Sequence, residues 1–244
     1  MKPADVRIAF SVLALAFGTA TLGCNSTTIF LDDFNSDAVG GPPSSSPAGD
    51  PPGDVLQIFG SPTYASWTVI DTPLSDGTPD QSLQMTKSSS GLSTDQIGIN
   101  LIPSGTQTNY IQLLMFLKVP TPAVDNAHMS IDLVEGARDI IFKHIDFEPD
   151  TSGNGVLMED DTTVIGNFPC DVDLISSLFI DFTGGGSVTM TISGGGAAVN
   201  ANASHMLPPT SLVPGLGRAT LSYYFGNQGT IDLDELAIYA NTSA

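Results

Sequence analysis

The sequence has few cysteines and few basic residues. Only Cys24 and Cys170 occur among 244 residues, and a chain of this length builds an apolar core without disulfides. Cys170 is therefore predicted to be a small buried residue and not a nucleophile. Seven Lys and Arg stand against 26 Asp and Glu, for a net charge of −19. Because phosphate contacts require Lys and Arg, this balance argues against nucleic acid and anionic lipid head groups as partners.

Several enzyme motifs are also missing. The sequence contains no Gly-x-Ser-x-Gly elbow, no phosphate-binding glycine loop followed by Lys and no His-Glu-x-x-His. His128, His144 and His205 are not spaced as metal ligands. No segment keeps a helical apolar period for long, and no second apolar run of about 18 residues follows the N-terminal one. We therefore expect little helix and no transmembrane helix in the body of the chain.

The first 24 residues have the order of an export signal. Lys2 and Arg7 form a short positive head, Ile8–Phe17 is an apolar run of signal-peptide length, and mostly small residues follow it. Thr21-Leu22-Gly23-Cys24 resembles the lipobox of bacterial lipoproteins, in which the Cys is acylated and becomes the mature N-terminus. The resemblance implies removal of residues 1–23, a membrane anchor on Cys24 and a place in the cell envelope, at the outer membrane or cell surface. Secretion without lipid and an uncleaved anchor are the alternatives.

The remaining residues, 24–244, are predicted to form a single domain. Without residues 1–23 the chain carries 25 acidic and 5 basic residues, a net charge of −20. The segment 35–54 is rich in Pro, Gly and Ser. We interpret it as a loop inside the domain, because Thr27–Asp33 before it has the composition of a strand. A tether between membrane and domain is the alternative.

The residues after the export signal consist largely of strand-like segments. About fourteen short runs rich in Val, Ile, Leu, Phe and Thr alternate with turn residues. Ser187–Ser193 alternates apolar and polar side chains, which is typical of a strand with one solvent-exposed face. Tyr110–Val119 is apolar on both faces, which indicates a central strand. Together these patterns predict an all-β, two-sheet antiparallel sandwich.

Several stretches resemble the concanavalin A-like (laminin-G-like) jelly-roll domains of secreted proteins. They comprise Phe30-Leu31-Asp32-Asp33-Phe34, Gly41-Pro42-Pro43 and Trp67-Thr68-Val69 at the opening, Leu174–Phe182 with Ser187–Ser193 in the middle, and Gly229–Tyr239 at the close. The resemblance implies a jelly-roll topology, in which the first and last strands lie side by side.

Asp139–Glu148 carries the main candidate site. Strand alternation places His144, Asp146 and Glu148 on one face. This resembles the Glu-x-Asp-x-Glu strand of laminarinase-type glycoside hydrolases, whose first Glu is the nucleophile and whose last is the acid/base. Here His144 stands at the nucleophile's position, and an imidazole does not replace an attacking carboxylate. We therefore expect no catalytic residue and interpret the face as ligand-binding. An ordinary polar face, a metal-contacting face and catalysis are the alternatives.

Five acidic residues form a candidate site for a structural Ca²⁺. If the first and last strands are neighbours, their carboxylates approach one another, and hard oxygen ligands suit calcium. They are Asp32, Asp33, Asp232, Asp234 and Glu235. The alternative is that Asp232 and Asp234 only face water. No other cofactor is expected.

Exposed aromatic rings are the remaining candidates for binding, because sugars stack on them. Trp67 has Val69 at a same-face spacing and is predicted to lie in the core. Tyr64 and Tyr224 are the candidate platforms, Tyr224 because it alternates with apolar neighbours and so points outward.

These observations favour a non-enzymatic cell-envelope lipoprotein whose sandwich binds a glycan or another envelope component. A polysaccharide hydrolase or lyase is one alternative, and a purely structural or adhesive surface domain is another. The sequence does not indicate an oligomeric state.

Overall fold

The computed structural model describes residues 26–45, 54–60, 65–72, 79–87, 97–104, 106–122, 127–136, 139–183, 186–194, 203–206, 215–225 and 229–241. Residues 1–23, Cys24, Tyr64 and residues 46–53 of the loop 35–54 lie outside these ranges. Within them the chain forms fifteen strands and no helix. Accordingly, no helix in the described ranges is long and apolar enough to cross a membrane.

The strands follow one another along the chain at short intervals. They are β1 (Ser26–Asp32), β2 (Val55–Phe59), β3 (Ala65–Asp71), β4 (Gln81–Lys87), β5 (Ile97–Ile102), β6 (Tyr110–Lys118), β7 (Ala127–Glu135), β8 (Ile141–Pro149), β9 (Asn154–Glu159), β10 (Thr163–Pro169), β11 (Leu174–Asp181), β12 (Ser187–Gly194), β13 (Ala203–Met206), β14 (Leu216–Phe225) and β15 (Gly229–Asn241).

These strands pair into two antiparallel sheets. One sheet has the order β13-β12-β11-β6-β15-β4-β3, with β1 as an eighth strand paired to β15. The other has the order β10-β9-β8-β7-β14-β5-β2. Several consecutive strands, such as β4 and β5 or β6 and β7, lie in different sheets, so the chain crosses repeatedly between the sheets as in Greek-key sandwiches. The prediction of an all-β, two-sheet antiparallel jelly-roll sandwich with little helix is confirmed.

The core lies between the two sheets and follows the alternation of the strands. Along β6 the side chains of Ile111, Leu113 and Met115 are fully buried, and β6 lies between β11 and β15 as its apolar character predicts. Trp67 of β3 is also in the core, where its Nε1 donates a hydrogen bond of 3.1 Å to the carbonyl oxygen of Gly98 on β5. This bond joins the two sheets.

The first and last strands are neighbours. β1 pairs with the C-terminal half of β15, so that Asp32 lies opposite Leu236. β4 pairs with the N-terminal half of β15. Between the two halves the register shifts at Asp234, and Glu235 there has a left-handed φ of 43°. This β-bulge interrupts the alternation of side-chain directions along β15.

The loop after β1 packs on the edge of the first sheet. The backbone nitrogen of Gly40 donates to the carbonyl oxygen of Val69, and the nitrogen of Val69 donates to the carbonyl oxygen of Gly41. These two bonds attach residues 40–41 to β3.

Candidate functional site

β8 presents its polar residues on the outer face of the seven-stranded sheet. Ile145 and Phe147 point into the core and are fully buried, so His144, Asp146 and Glu148 point the other way. Asp146 is nevertheless buried, whereas Glu148 is exposed. His144 and Asp146 are therefore the members of this set that belong to an organised site.

Neighbouring strands extend this site into cross-strand rows. In one row Asn100 of β5, Thr220 of β14, Asp132 of β7 and His144 of β8 lie opposite one another in turn. The hydroxyl of Thr220 donates to Oδ1 of Asn100 at 2.7 Å. Side chains of directly paired residues project on the same side of a sheet, so the row is a continuous polar strip across four strands.

His144 lies between three carboxylates. Its Nδ1 is 2.5 Å from Oδ1 of Asp132, and its Nε2 is 2.9 Å from Oδ2 of Asp146 and 3.3 Å from Oδ1 of Asp161. The hydrogen bond with Asp132, then that with Asp146, raises the pKa of His144 to about 10, although burial opposes the charged form. Near neutral pH the ring is therefore an imidazolium.

The pKa values of Asp146 and Asp161 depend on this cation and on the interaction between the two carboxyl groups. Burial opposes ionisation of Asp146, but the hydrogen bond with His144 brings its pKa below the ordinary value. The interaction with the Asp146 carboxyl raises the pKa of Asp161, the most exposed of the three. An imidazolium whose two nitrogens both contact carboxylates is neither a nucleophile nor a general base near neutral pH.

Sequence reasoning missed Asp132 and set Asp161 aside as a solvated residue of an acidic turn. Asp132 lies in the middle of β7, and its outward direction follows from alternation, but the pairing of β7 with β8 does not follow from local sequence. Asp161 lies in the turn between β9 and β10, where Asp160 and Asp161 both have left-handed φ angles of 50° and 58°. An acidic turn is usually only solvated, so nothing local distinguished it.

A groove of about 270 Å³ runs along the polar strip on the side away from Asp146. Its walls combine aromatic, aliphatic, amide, carboxylate and guanidinium groups, contributed by Phe59, Asn100, Asp132, Val134, Ile141, Arg218 and Thr220. Arg218 contacts Asp139 through Nη1, and its Nε donates to the hydroxyl of Thr220 at 3.3 Å. The groove thus has fixed polar walls.

Tyr224 lies on the same outer face. Its ring stacks on His128 with 4.5 Å between the ring centroids. Burial, followed by the charges of Asp132 and Asp146, raises the pKa of its hydroxyl. The structure therefore places Tyr224 on the same outer face as His144 and Asp146, while Tyr64 lies outside the described residues.

The five acidic residues of the candidate calcium site have separate surroundings. Asp32 and Asp33 accept hydrogen bonds from the backbone nitrogens two residues further on, and Asp232 accepts one of 3.1 Å from Gln84. Asp232 and Asp234 line a second cavity, of about 190 Å³. Among the described residues these five do not form a group of three or more whose ligand atoms lie within 4.8 Å of one another, and a structural Ca²⁺ there stays a prediction.

A different set of side chains has the geometry of a metal site. His144, Asp146 and Asp161 each offer one ligand atom, and these atoms lie within 4.8 Å of one another. In the part of the chain that the structure describes, no other group of three or more His, Cys, Asp or Glu residues does so.

Comparisons with known proteins give similarity of fold alone. No family model matches the chain, and no curated protein matches it. A carbohydrate esterase from the Shiga toxin-encoding bacteriophage phi24B is similar in structure, with a TM-score of 0.54 and 12% identity over 89% of this chain and 100% of that one. The cellulose-induced protein Cip1 has a TM-score of 0.54 and 11% identity over 88% and 98% of the two chains. The catalytic domain of a GH131 β-glucanase from Podospora anserina has a TM-score of 0.50 and 15% identity over 82% and 90%. This chain thus has the two-sheet antiparallel sandwich found in those three structures.

Proposed function

We propose that this protein binds a carbohydrate in the groove on the outer face of the seven-stranded sheet. The observation that carries the proposal is the polar strip of Asn100, Thr220 and Asp132 running beside the ring of Phe59. A sugar presents hydroxyl groups around its edge and an apolar face. A groove with one aromatic wall and several hydrogen-bonding side chains matches both features.

The walls of the groove are held in place before any ligand arrives. Thr220 fixes the amide of Asn100, and His144 fixes the carboxylate of Asp132. A ligand then does not have to order these side chains, which lowers the entropic cost of binding. Asp132 accepts hydrogen bonds from sugar hydroxyls, while Asn100 both donates and accepts them.

A carbohydrate is the first ligand class to test for a second reason. Proteins with the same fold are named as a carbohydrate esterase and a β-glucanase. At 12% and 15% identity these names transfer no activity. The names of these similar structures do favour testing glycans before other neutral polar ligands.

The cellular location is a further part of the proposal and is supported by residues 1–24 alone. We propose that Cys24 is acylated and holds the domain at the cell envelope. Metabolic labelling with a palmitate analogue should mark the wild type, and Cys24→Ser should lose both the label and the membrane association. A wild type that is secreted without label would contradict the anchor.

The groove is tested with a glycan array followed by calorimetry on the ligand found. Asn100→Ala should weaken binding by about tenfold or more, because it removes two hydrogen-bonding groups from the wall. Asn167→Ala is the matched control, since Asn167 is exposed on β10 and does not line the groove. Its affinity should equal that of the wild type.

Four outcomes of this experiment are decisive. Loss of affinity in Asn100→Ala alone supports the groove. Equal losses in Asn100→Ala and Asn167→Ala, or no binding to any glycan, refute it. Release of shortened glycan during the incubations would support the polysaccharide-hydrolase alternative instead of a binding module.

A further inference from the structure

We propose that His144, Asp146 and Asp161 bind a first-row divalent transition-metal ion such as Zn²⁺. The ligand atoms are Nε2 of the imidazole and one oxygen of each carboxylate, which lie within 4.8 Å of one another. An imidazole nitrogen with carboxylate oxygens suits zinc and its neighbours better than it suits calcium, which takes oxygen ligands alone. None of these three ligand residues lines the carbohydrate groove, although Asp132, which orients His144, lines it as well.

The spacing of the ligand atoms fits a tetrahedral ion. An ion at 2.0–2.1 Å from each ligand holds neighbouring ligand atoms about 3.3–3.4 Å apart. Nε2 of His144 is 2.9 Å from Oδ2 of Asp146 and 3.3 Å from Oδ1 of Asp161. These two distances need to change by at most about half an ångström. The two carboxylate oxygens lie within 4.8 Å of each other, and the ion takes the place of the proton on Nε2.

Asp132 supplies the supporting contact that metal-bound histidines usually have. The ring nitrogen that does not bind the metal commonly donates to a carboxylate, which fixes the orientation and tautomer of the ring. Here Nδ1 of His144 lies 2.5 Å from Asp132. This contact directs Nε2 toward Asp146 and Asp161.

Two buried oxygen atoms give an independent reason for a cation. Asp146 is 2% exposed and Ser130 is 1% exposed, and the two residues are directly opposite on β8 and β7. Among the described residues, Oδ1 of Asp146 and Oγ of Ser130 have no hydrogen-bond partner. Buried polar atoms are nearly always paired, so a bound ion, with a water molecule in its coordination shell, accounts for both.

Solvent reaches the site through the turn that carries Asp161. The side chain of Asp161 is 79% exposed, whereas His144 is 25% exposed. An ion enters from that side, and the acidic surface of the protein attracts it.

The test uses the metal alone on the purified full-length protein after treatment with EDTA. Titration with Zn²⁺, followed by calorimetry and by competition with a chromophoric chelator, should show one ion per chain with Kd in the micromolar range or below. Asp161→Asn should weaken binding by about tenfold or more. The spectrum of bound Co²⁺ should change in His144→Gln, because it reports the imidazole ligand.

Asp171→Asn is the matched control for Asp161→Asn. Asp171 is also an exposed turn aspartate with a φ of 58°. Asn tolerates this conformation, so both variants should fold, and thermal unfolding checks that they do. Weakening in Asp161→Asn but not in Asp171→Asn supports the site. Unchanged Zn²⁺ affinity in Asp161→Asn, no Zn²⁺ binding by the wild type, or binding of Ca²⁺ in preference to Zn²⁺ would overturn it.

Discussion

The substitution Asp132→Asn tests the charge arrangement around His144. The hydrogen bond with Asp132 is the largest cause of the rise in the pKa of His144 to about 10. Asparagine keeps the shape and the acceptor oxygen but removes the negative charge. Loss of an opposite charge at this distance lowers a pKa by about 1 to 3 pH units. Because Asp146 remains, His144 in the variant should still titrate above its ordinary value of 6.5.

The same change alters how stability depends on pH. The pKa of His144 is about 10 in the folded protein against 6.5 as the ordinary value, so its contribution is complete below pH 6.5 and is lost as the pH rises to 10. This difference in pKa corresponds to a stabilisation of the folded state by at most about 5 kcal/mol. Solvent screening reduces that contribution, because the side chain of His144 is partly exposed. A loss of about 1 to 3 pH units in the pKa of His144 corresponds to about 1.4 to 4 kcal/mol. The free energy of unfolding of Asp132→Asn below pH 6.5 should therefore be lower than that of the wild type by no more than this.

The assay is a histidine NMR titration from about pH 6 to about pH 11, with urea unfolding at several pH values. EDTA is present throughout, so that no metal competes with protons. Asp232→Asn is the control, since Asp232 lies on the other sheet and bonds to Gln84. It should leave the pKa of His144 unchanged. A wild-type His144 that titrates near 6.5, or the same pKa in the wild type and Asp132→Asn, would refute the reasoning.

Three further predictions concern buried groups. The ammonium of Lys143 contacts Glu159 on the core side of the sheet, so Lys143→Ala should cost about 3–5 kcal/mol in urea unfolding. The double change Lys143→Met with Glu159→Leu should recover most of it, and no recovery would contradict the ion-pair explanation. Burial raises the pKa of Cys170 to about 11. A thiol reagent at neutral pH should therefore label the peptide that contains Cys170 only after the protein is unfolded. Rapid labelling of the native protein would show instead that the thiol is accessible. In Gly98→Ala the new methyl group would lie 2.0 Å from the carbonyl oxygen of Leu221, which cannot move as a side chain can. We expect a loss near the upper end of about 1–3 kcal/mol and a lower Tm, whereas an unchanged Tm would contradict the close approach of these two strands.

Local sequence was sufficient for the directions of individual side chains. Alternation along Asp139–Glu148 placed His144 and Asp146 on one outward face, because successive side chains of a strand point to opposite sides. The apolar spacing around Trp67 likewise identified a core residue. The adjacency of the first and last strands came from the resemblance to jelly-roll domains, and the pairing of β1 with β15 agrees with it.

The partners of those side chains required the tertiary structure. Asp132 and Asp161 are 12 and 17 residues from His144 in the sequence, and they meet it only because β7 pairs with β8 and the β9–β10 turn folds back over β8. Strand pairing and register arise from the burial of both sheets against each other, which is a property of the whole core and not of any segment. For the same reason, the pairing of β1 with β15 could not be derived from either strand alone. Residue pattern thus decided which side chains face solvent, and long-range packing decided which of them meet.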